Sequence, residues 1–407
     1  MRVLHTSDWH LGQRLVTCER TDEHQHFLHW LVRTICEQNV EVLLIAGDVF
    51  DTGSPCNAAI KLYYDFLQEI CDTCCRQVII IGGNHDSVAT LNAPRELLRY
   101  FNVHVVGGAT PDPLEELIPI CDPDGKVRLV VCAVPFLRDR DLRLSVPGET
   151  HEEREARLKQ GLCDHYAQFV PHLQSYKERG VPVVAMGHLF AAGSTASDSE
   201  KEIHVGNLGQ IGADQFPAAF DYVALGHLHR PQQVNQTAHI RYAGSPLPLS
   251  FSEVTDRKVV YLLDFAAGRL AQVQEVEIPV CRRLVRFRGD LEQVKRQILL
   301  FENEGCTLPA WAEIQVELEV PLPDLGAQLD EVLRLKPELQ VLILRPPLIR
   351  SGQKLLPEQV AETVDLHELK PQEVFRKRCE SAFPESENSE LLATFEELVE
   401  LMGQEES

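Results

Sequence analysis

The sequence predicts an α/β domain in which helices cover the faces of a buried sheet. Two observations predict it. Five short segments share one pattern: an apolar, mostly β-branched run that breaks into polar residues, with glycine at or near the junction in most of them. Helical patterns fall between several of these runs, for example over 23–37 and 58–71. Alternating strands and helices bury their apolar faces against each other, which is the α/β arrangement.

The five runs follow in order. The first is Val3-Leu4-His5-Thr6-Ser7-Asp8-Trp9-His10, and the second is Val42 through Gly47-Asp48. The third runs from Val78 through Gly82-Gly83-Asn84-His85-Asp86. The fourth is Val183 through Gly187-His188, and the fifth Tyr222 through Gly226-His227-Leu228-His229. "RYAGSPLPLSF" (241–251) reads as a strand and a proline-bearing turn, with further strands over 259–263 and 273–279. A boundary near 280 closes a first domain, 1–280. Residues 281–346 read strand, helix, strand, helix, strand, over 283–288, 291–303, 312–320, 325–335 and 339–344, a small second α/β domain. Residues 347–407 read as an acidic helical region, with helices around 371–379 and 389–402. No period suggests a solenoid.

Composition bounds the function. A chain of 407 residues has room for two or three domains, and 44% hydrophobic with 25% charged residues is ordinary for a globular protein. No run approaches the ~20 apolar residues of a membrane span, and the N-terminus enters a strand at once with no signal-peptide pattern, so the cytosol is the expected compartment. The formal charge of −22 argues against a uniformly basic nucleic-acid binder. However, residues 351–407 alone hold 14 Asp/Glu against 5 Lys/Arg, so the charge is unevenly placed. The 12 cysteines are scattered, and the one cluster, Cys71, Cys74 and Cys75, lacks the second pair a zinc site needs. Free thiols are the expectation.

In α/β folds, binding groups gather beyond the carboxyl ends of strands. That rule collects Asp8, His10, Asp48, Asn84, His85, His188, His227 and His229 on one rim. Oxygen and nitrogen donors without thiolate suit Mn²⁺, Fe²⁺ or Zn²⁺. Asp8-x-His10 and His227-x-His229 each present two donors from one strand end, and Asp48 is the natural bridge between two metals. Two metals clamp the attacking and leaving oxygens of a phosphate displacement. His85 then faces the phosphate without ligating metal, and Asp86 is placed to orient its imidazole. Trp9 reads as core, and His5 as a satisfied core or surface residue. His24, His26 and His29 lie on a helical stretch and read as surface histidines.

These motifs, Asp8-x-His10, Gly47-Asp48, Gly83-Asn84-His85-Asp86, Gly187-His188 and Gly226-His227-x-His229, resemble those of the calcineurin-like metallophosphoesterases in order and spacing. "HTSDWHLGQ", "AGDVFDTGSP", "GNHDSVATLN", "ALGHLHR" and "GSPLPLSF" more closely resemble the Mre-type DNA-repair nucleases. The resemblance implies a four-layer αββα sandwich with a small α/β cap domain and C-terminal helices. It implies two divalent ions, Mn²⁺ preferred, one held by Asp8, His10, Asp48 and His229 and the other by Asp48, Asn84, His188 and His227. His85 would be the catalytic histidine. It further implies a cap that touches DNA and C-terminal helices that dock on an SMC-like ATPase. The activity implied is an ATP-dependent double-strand exonuclease, 3′→5′, and a single-strand or hairpin endonuclease in replication, recombination and repair. A homodimer within a heterotetramer, in the cytoplasm and at the nucleoid when on DNA, completes the expectation. One departure is Asp51, where archaeal relatives carry a second non-ligand histidine.

Two other functions compete with this reading. A phosphatase on the same core leaves the second domain and acidic tail without a purpose. A metal-free scaffold predicts gaps among the ligands, and the sequence has none. The apolar residues of the tail, Val374, Phe375, Leu391, Leu392, Phe395 and Leu398, suit either a partner's groove or packing within the chain.

Overall fold

Each of the five apolar runs forms a strand. The chain opens with β1 (Arg2–Thr6), the two-residue strands β2 (Arg14–Leu15) and β3 (Cys18–Glu19), α1 (Thr21–Glu37), β4 (Val42–Ala46), α2 (Asn57–Cys71) and β5 (Gln77–Ile81). It continues through α3 (Val88–Asn92), α4 (Arg95–Arg99), β6 (Val103–Val106), β7 (Leu117–Cys121), β8 (Val127–Ala133), α5 (Asp139–Leu142), α6 (His151–Ala167) and α7 (Val170–Glu178). Next come β9 (Val183–His188), β10 (Tyr222–Gly226), β11 (Gln232–Val234), β12 (Thr237–Tyr242), β13 (Val259–Ala266) and β14 (Arg269–Glu277). The last elements are β15 (Leu284–Gly289), α8 (Leu291–Leu300), β16 (Ala310–Leu318), α9 (Leu325–Leu333) and β17 (Leu339–Ile349). The structure, a computed structural model, describes residues 1–143, 148–194, 211–318, 322 and 324–349. The chain divides into two compact units, 1–349 and 350–407. The second unit lies outside the described residues, and with it the helices expected around 371–379 and 389–402.

Two six-stranded sheets carry the fold, in the orders β14-β13-β1-β4-β5-β6 and β11-β12-β10-β9-β8-β7. Strands β1, β4, β5 and β6 are parallel, as are β8, β9, β10 and β12. Side chains alternate between the two faces of a strand, and here both faces are buried. Leu43, Ile45, Val78 and Ile80 pack on Phe27, Leu31, Phe66 and Ile70 of α1 and α2. Their neighbours Val42, Leu44, Ile79 and Ile81 pack instead with Val131, Val184, Met186 and Tyr222 of the second sheet. On that sheet's far face, Val130, Val183 and Val223 meet Leu162, Tyr166 and Leu173 of α6 and α7. The result is a four-layer αββα sandwich. Double-sided burial is why these strands are nearly continuous apolar runs rather than alternating ones.

Several polar residues inside the sandwich have partners. His5 joins the sheets, with Nδ1 3.1 Å from Tyr222 Oη and Nε2 3.2 Å from the Leu225 carbonyl. Trp9 is core, edge-on to Phe27 and Phe66. His24 corrects an expectation: it is buried and donates from Nε2 to the Trp9 carbonyl at 3.0 Å, while His26 and His29 are exposed. Burial holds its pKa down at about 3, with the Arg20 guanidinium adding to the effect.

Strands β15, β16 and β17 form a separate parallel sheet with its own core. Phe287, Ile314 and Val316 pack there with Val294 and Ile298 of α8 and Leu329 of α9. A smaller cluster, Leu15, Phe251, Leu284 and Trp311, ties this sheet to the sandwich.

Candidate metal centre

The loops that leave β1, β4, β5, β9 and β10 meet at one edge of the sandwich, three from the first sheet and two from the second. Asp8 N donates to the Gly47 carbonyl and His10 N to the Asp48 carbonyl, both at 3.0 Å, so the loops after β1 and β4 are laced together. Ten described non-glycine residues have positive φ, and four of them are Asp8 (52°), His10 (47°), Asp48 (48°) and His227 (104°). Left-handed backbone is unfavourable for such residues and clusters where function requires it. Glycine makes the close approach possible. A Cβ on Gly47 would strike the His188 imidazole, and one on Gly83 would strike the Asp48 carboxylate.

The donor atoms converge. Asn84 Oδ1 lies 2.9 Å from His188 Nε2 and 3.0 Å from His227 Nδ1. Asp48 Oδ2 lies 3.3 Å from His188 Nε2 and 3.6 Å from His10 Nε2, so one oxygen faces both groups of ligands. Asp8, His10 and His229 each offer an atom within 4.8 Å of the others, and so do Asp8, Asp48 and His188. All seven of the expected ligands, Asn84 included, therefore lie at this edge. A third such set, His10, Asp51 and His85, was not foreseen as a group.

The surroundings fix tautomers. A carbonyl only accepts, so His188 Nδ1 donates to Ala46 O at 3.0 Å and its Nε2 is turned to the cluster. The Asp51 carboxylate lies 3.2 Å from His10 Nδ1, and His10 Nε2 is buried without a hydrogen-bond partner. Carboxylate–histidine pairs of this kind orient metal ligands. Asp51, which the sequence singled out only as the residue standing where archaeal relatives carry a histidine, is placed to orient the His10 ring. Its carbonyl also accepts from His85 Nδ1 at 2.8 Å, while His85 N donates to Asp48 Oδ1 at 2.9 Å. Asp86 corrects a second expectation. It does not hold the His85 ring; its carboxylate accepts from Val49 N, Phe50 N and Gly83 N at 2.9–3.1 Å and braces the loop that carries Asp48.

Electrostatics point the same way. Burial raises the Asp8 carboxyl to about 7. Burial also pushes Asp48 up, but the imidazoles of His188 and His10 outweigh it and hold the group well below the usual carboxylate range. Burial lowers His188, yet the Asp48 carboxylate carries it to about 9. Burial keeps His229 well below its ordinary value, so its imidazole is neutral. Carboxylates and inward lone pairs packed this closely call for positive charge, and the oxygen–nitrogen donor set fits divalent metal. The described cysteines take no part: none belongs to a metal-suited group, and Cys71 and Cys74 are exposed free thiols.

Such a cluster on the edge of an αββα sandwich defines a metallophosphoesterase. The model of the calcineurin-like phosphoesterases matches residues 1–231, and the model described as the type 5 capsule protein repressor C-terminal domain matches 280–383. SbcD of the nuclease SbcCD from Escherichia coli K12 is 38% identical over 381 residues, 93% of this chain and 92% of that one. Its Bacillus subtilis namesake is 32% identical over 83% of each chain. The Rhodobacter capsulatus protein is 39% identical over 66% of this chain and 67% of its own. The chain belongs to the SbcD family of nucleases within the calcineurin-like phosphoesterases. It is a metal-dependent nuclease. No described helix is long and apolar enough to cross a membrane.

Proposed function

We propose that this chain is the nuclease subunit of an SbcCD complex and cuts DNA phosphodiesters with two divalent ions, Mn²⁺ in the first instance. Asp8, His10, Asp48 and His229 hold one ion; Asp48, Asn84, His188 and His227 hold the other. The observation that carries this reading is the Asp48 carboxylate, one oxygen of which stands between His10 Nε2 and His188 Nε2. Bound there, the metals supply an acidified water and neutralise charge on the scissile phosphate. The chain's own residues do the rest. Asp51 and the Ala46 carbonyl hold His10 and His188 in their ligating tautomers. Asn84 adds a neutral oxygen, so it does not repel phosphate. His85, its Nδ1 fixed on the Asp51 carbonyl, presents Nε2 to stabilise the phosphate or protonate the leaving oxygen.

The same proposal covers the assembly. Residues 1–280 are the nuclease domain, 281–346 a cap that contacts double-stranded and hairpin DNA, and 347–407 the region that docks on an SbcC-type SMC-like ATPase. The separate core around Phe287 and Ile314 supports the middle division. Exposed Leu97, Tyr100 and Phe101 beside a cavity of about 500 Å³ support a homodimer within a heterotetramer. The complex acts in the cytoplasm, at the nucleoid, as an ATP-dependent 3′→5′ double-strand exonuclease and a single-strand or hairpin endonuclease in replication, recombination and repair.

The test is a nuclease assay on hairpin and linear duplex with Mn²⁺ or Mg²⁺, with and without ATP and the ATPase. His85→Ala is expected to keep both metals and to lose cleavage by about 10²- to 10⁴-fold. Loss of metal in that variant would make His85 a ligand and overturn its role.

A further inference from the structure

The stretch Gly244-Ser245-Pro246-Leu247-Pro248-Leu249-Ser250-Phe251 supplies none of the ligands above, yet it runs behind one of them. Ser245 N donates to the His229 carbonyl at 3.1 Å. Lys258, with a side chain only 5% exposed, donates to that same carbonyl at 2.9 Å, to Ser245 Oγ at 2.9 Å and to Glu253 Oε2 at 2.7 Å. All three ammonium hydrogens are thus used. Glu253 is fully buried, accepts from Leu249 N at 3.2 Å, and places Oε1 3.9 Å from His229 Nδ1. Phe251, in the same turn, packs on Leu284 and Trp311.

A buried lysine and glutamate are expensive to desolvate and stabilise a fold poorly compared with apolar residues of similar size. Their position against one histidine's main chain and ring suggests a different use. We propose that Lys258 and Glu253 are positioning residues for His229: the ammonium ties the backbone of the ligand, and the carboxylate holds that ammonium in place beside the imidazole. Neither touches substrate. These contacts run to His229, a ligand of one ion only, so the pair acts on the Asp8–His10–Asp48–His229 metal. Partners behind a metal ligand are typically worth about 10- to 100-fold in metal affinity.

The inference rests on the two-metal reading, and one experiment separates them. Mn²⁺ is titrated into the intact metal-free chain by calorimetry and electron paramagnetic resonance, for the wild type, Lys258→Met and the double variant Glu253→Gln/Lys258→Met. Thermal unfolding in chelator confirms that each is folded. The wild type should bind two ions; fewer would sink the two-metal reading. Lys258→Met should weaken one site about 10- to 100-fold and leave the other within about twofold. The double variant leaves no lone buried charge, so it remains informative if the single variant does not fold. It should still lose at least tenfold at the same site. Two unchanged sites in the double variant, or equal losses at both, would overturn the proposal.

Discussion

At the residue scale, Asp8, His10, Asp48 and His227 all sit in positive-φ backbone, four of the ten described non-glycine residues that do. Most of this cluster was legible in the sequence, because Asp, His or Asn at five strand ends, next to glycine at four of them, is a local signal. The supporting residues were not. Asp86 looked like a partner for the adjacent His85, but two of its three donors, Val49 N and Phe50 N, come from the loop after β4, which sequence adjacency cannot reveal. Glu253 and Lys258 gave no signal either, since only the fold brings them behind His229. Gly83 offers a test at this scale. A Cβ there collides with the Asp48 carboxylate, so Gly83→Ala should weaken Mn²⁺ binding about 10- to 100-fold. Unchanged affinity by calorimetry would show that Asp48 does not depend on that close approach.

At the element scale, most of the strands and helices that the sequence pattern placed lie within a few residues of it, as with α1 (Thr21–Glu37) against 23–37, whereas the elements between β5 and β9, from α3 to α7, were not read from the sequence. The burial of His24 was missed. An i, i+3 spacing orders residues around a helix but does not say what faces them, and the Trp9 carbonyl faces this one. Its consequence is a pH dependence. His24 and His5 have pKa values of about 3 in the fold, lowered by burial, against about 6.5 unfolded. Below pH 6.5 the unfolded chain takes up protons the fold refuses. Their contribution is therefore complete above 6.5 and is lost as pH falls toward 3. Each histidine should cost about 1.4 kcal/mol per pH unit in that window. Denaturant unfolding in chelator should show a shallower slope for His24→Gln than for the wild type. Equal slopes between pH 6 and 4 would mean that His24 is protonated in the fold.

At the scale of the whole molecule, the sequence placed five strand ends on one rim but did not divide them between sheets. Strands buried on both faces carry the same apolar pattern whichever sheet they join, so the four-layer arrangement followed from family resemblance, not from periodicity. The junction with the small sheet was equally silent. There Trp311 is 3% exposed, its ring lies 4.1 Å from the Arg282 guanidinium, and Arg282 pairs with Glu23 of α1 at 3.2 Å. Trp311→Ala should cost about 3–5 kcal/mol in denaturant unfolding; a cost below about 1 kcal/mol would mean that the site repacks without it.

The central claim is that strand ends from two sheets build one two-metal centre around Asp48. The most direct measurement is the number of Mn²⁺ ions bound per chain, by metal analysis after equilibrium dialysis, in the wild type and in Asp48→Ala. Two ions are expected for the wild type, and weakened binding at both sites for the variant. A wild type that binds a single ion, or a variant that keeps two at unchanged affinity, would contradict it.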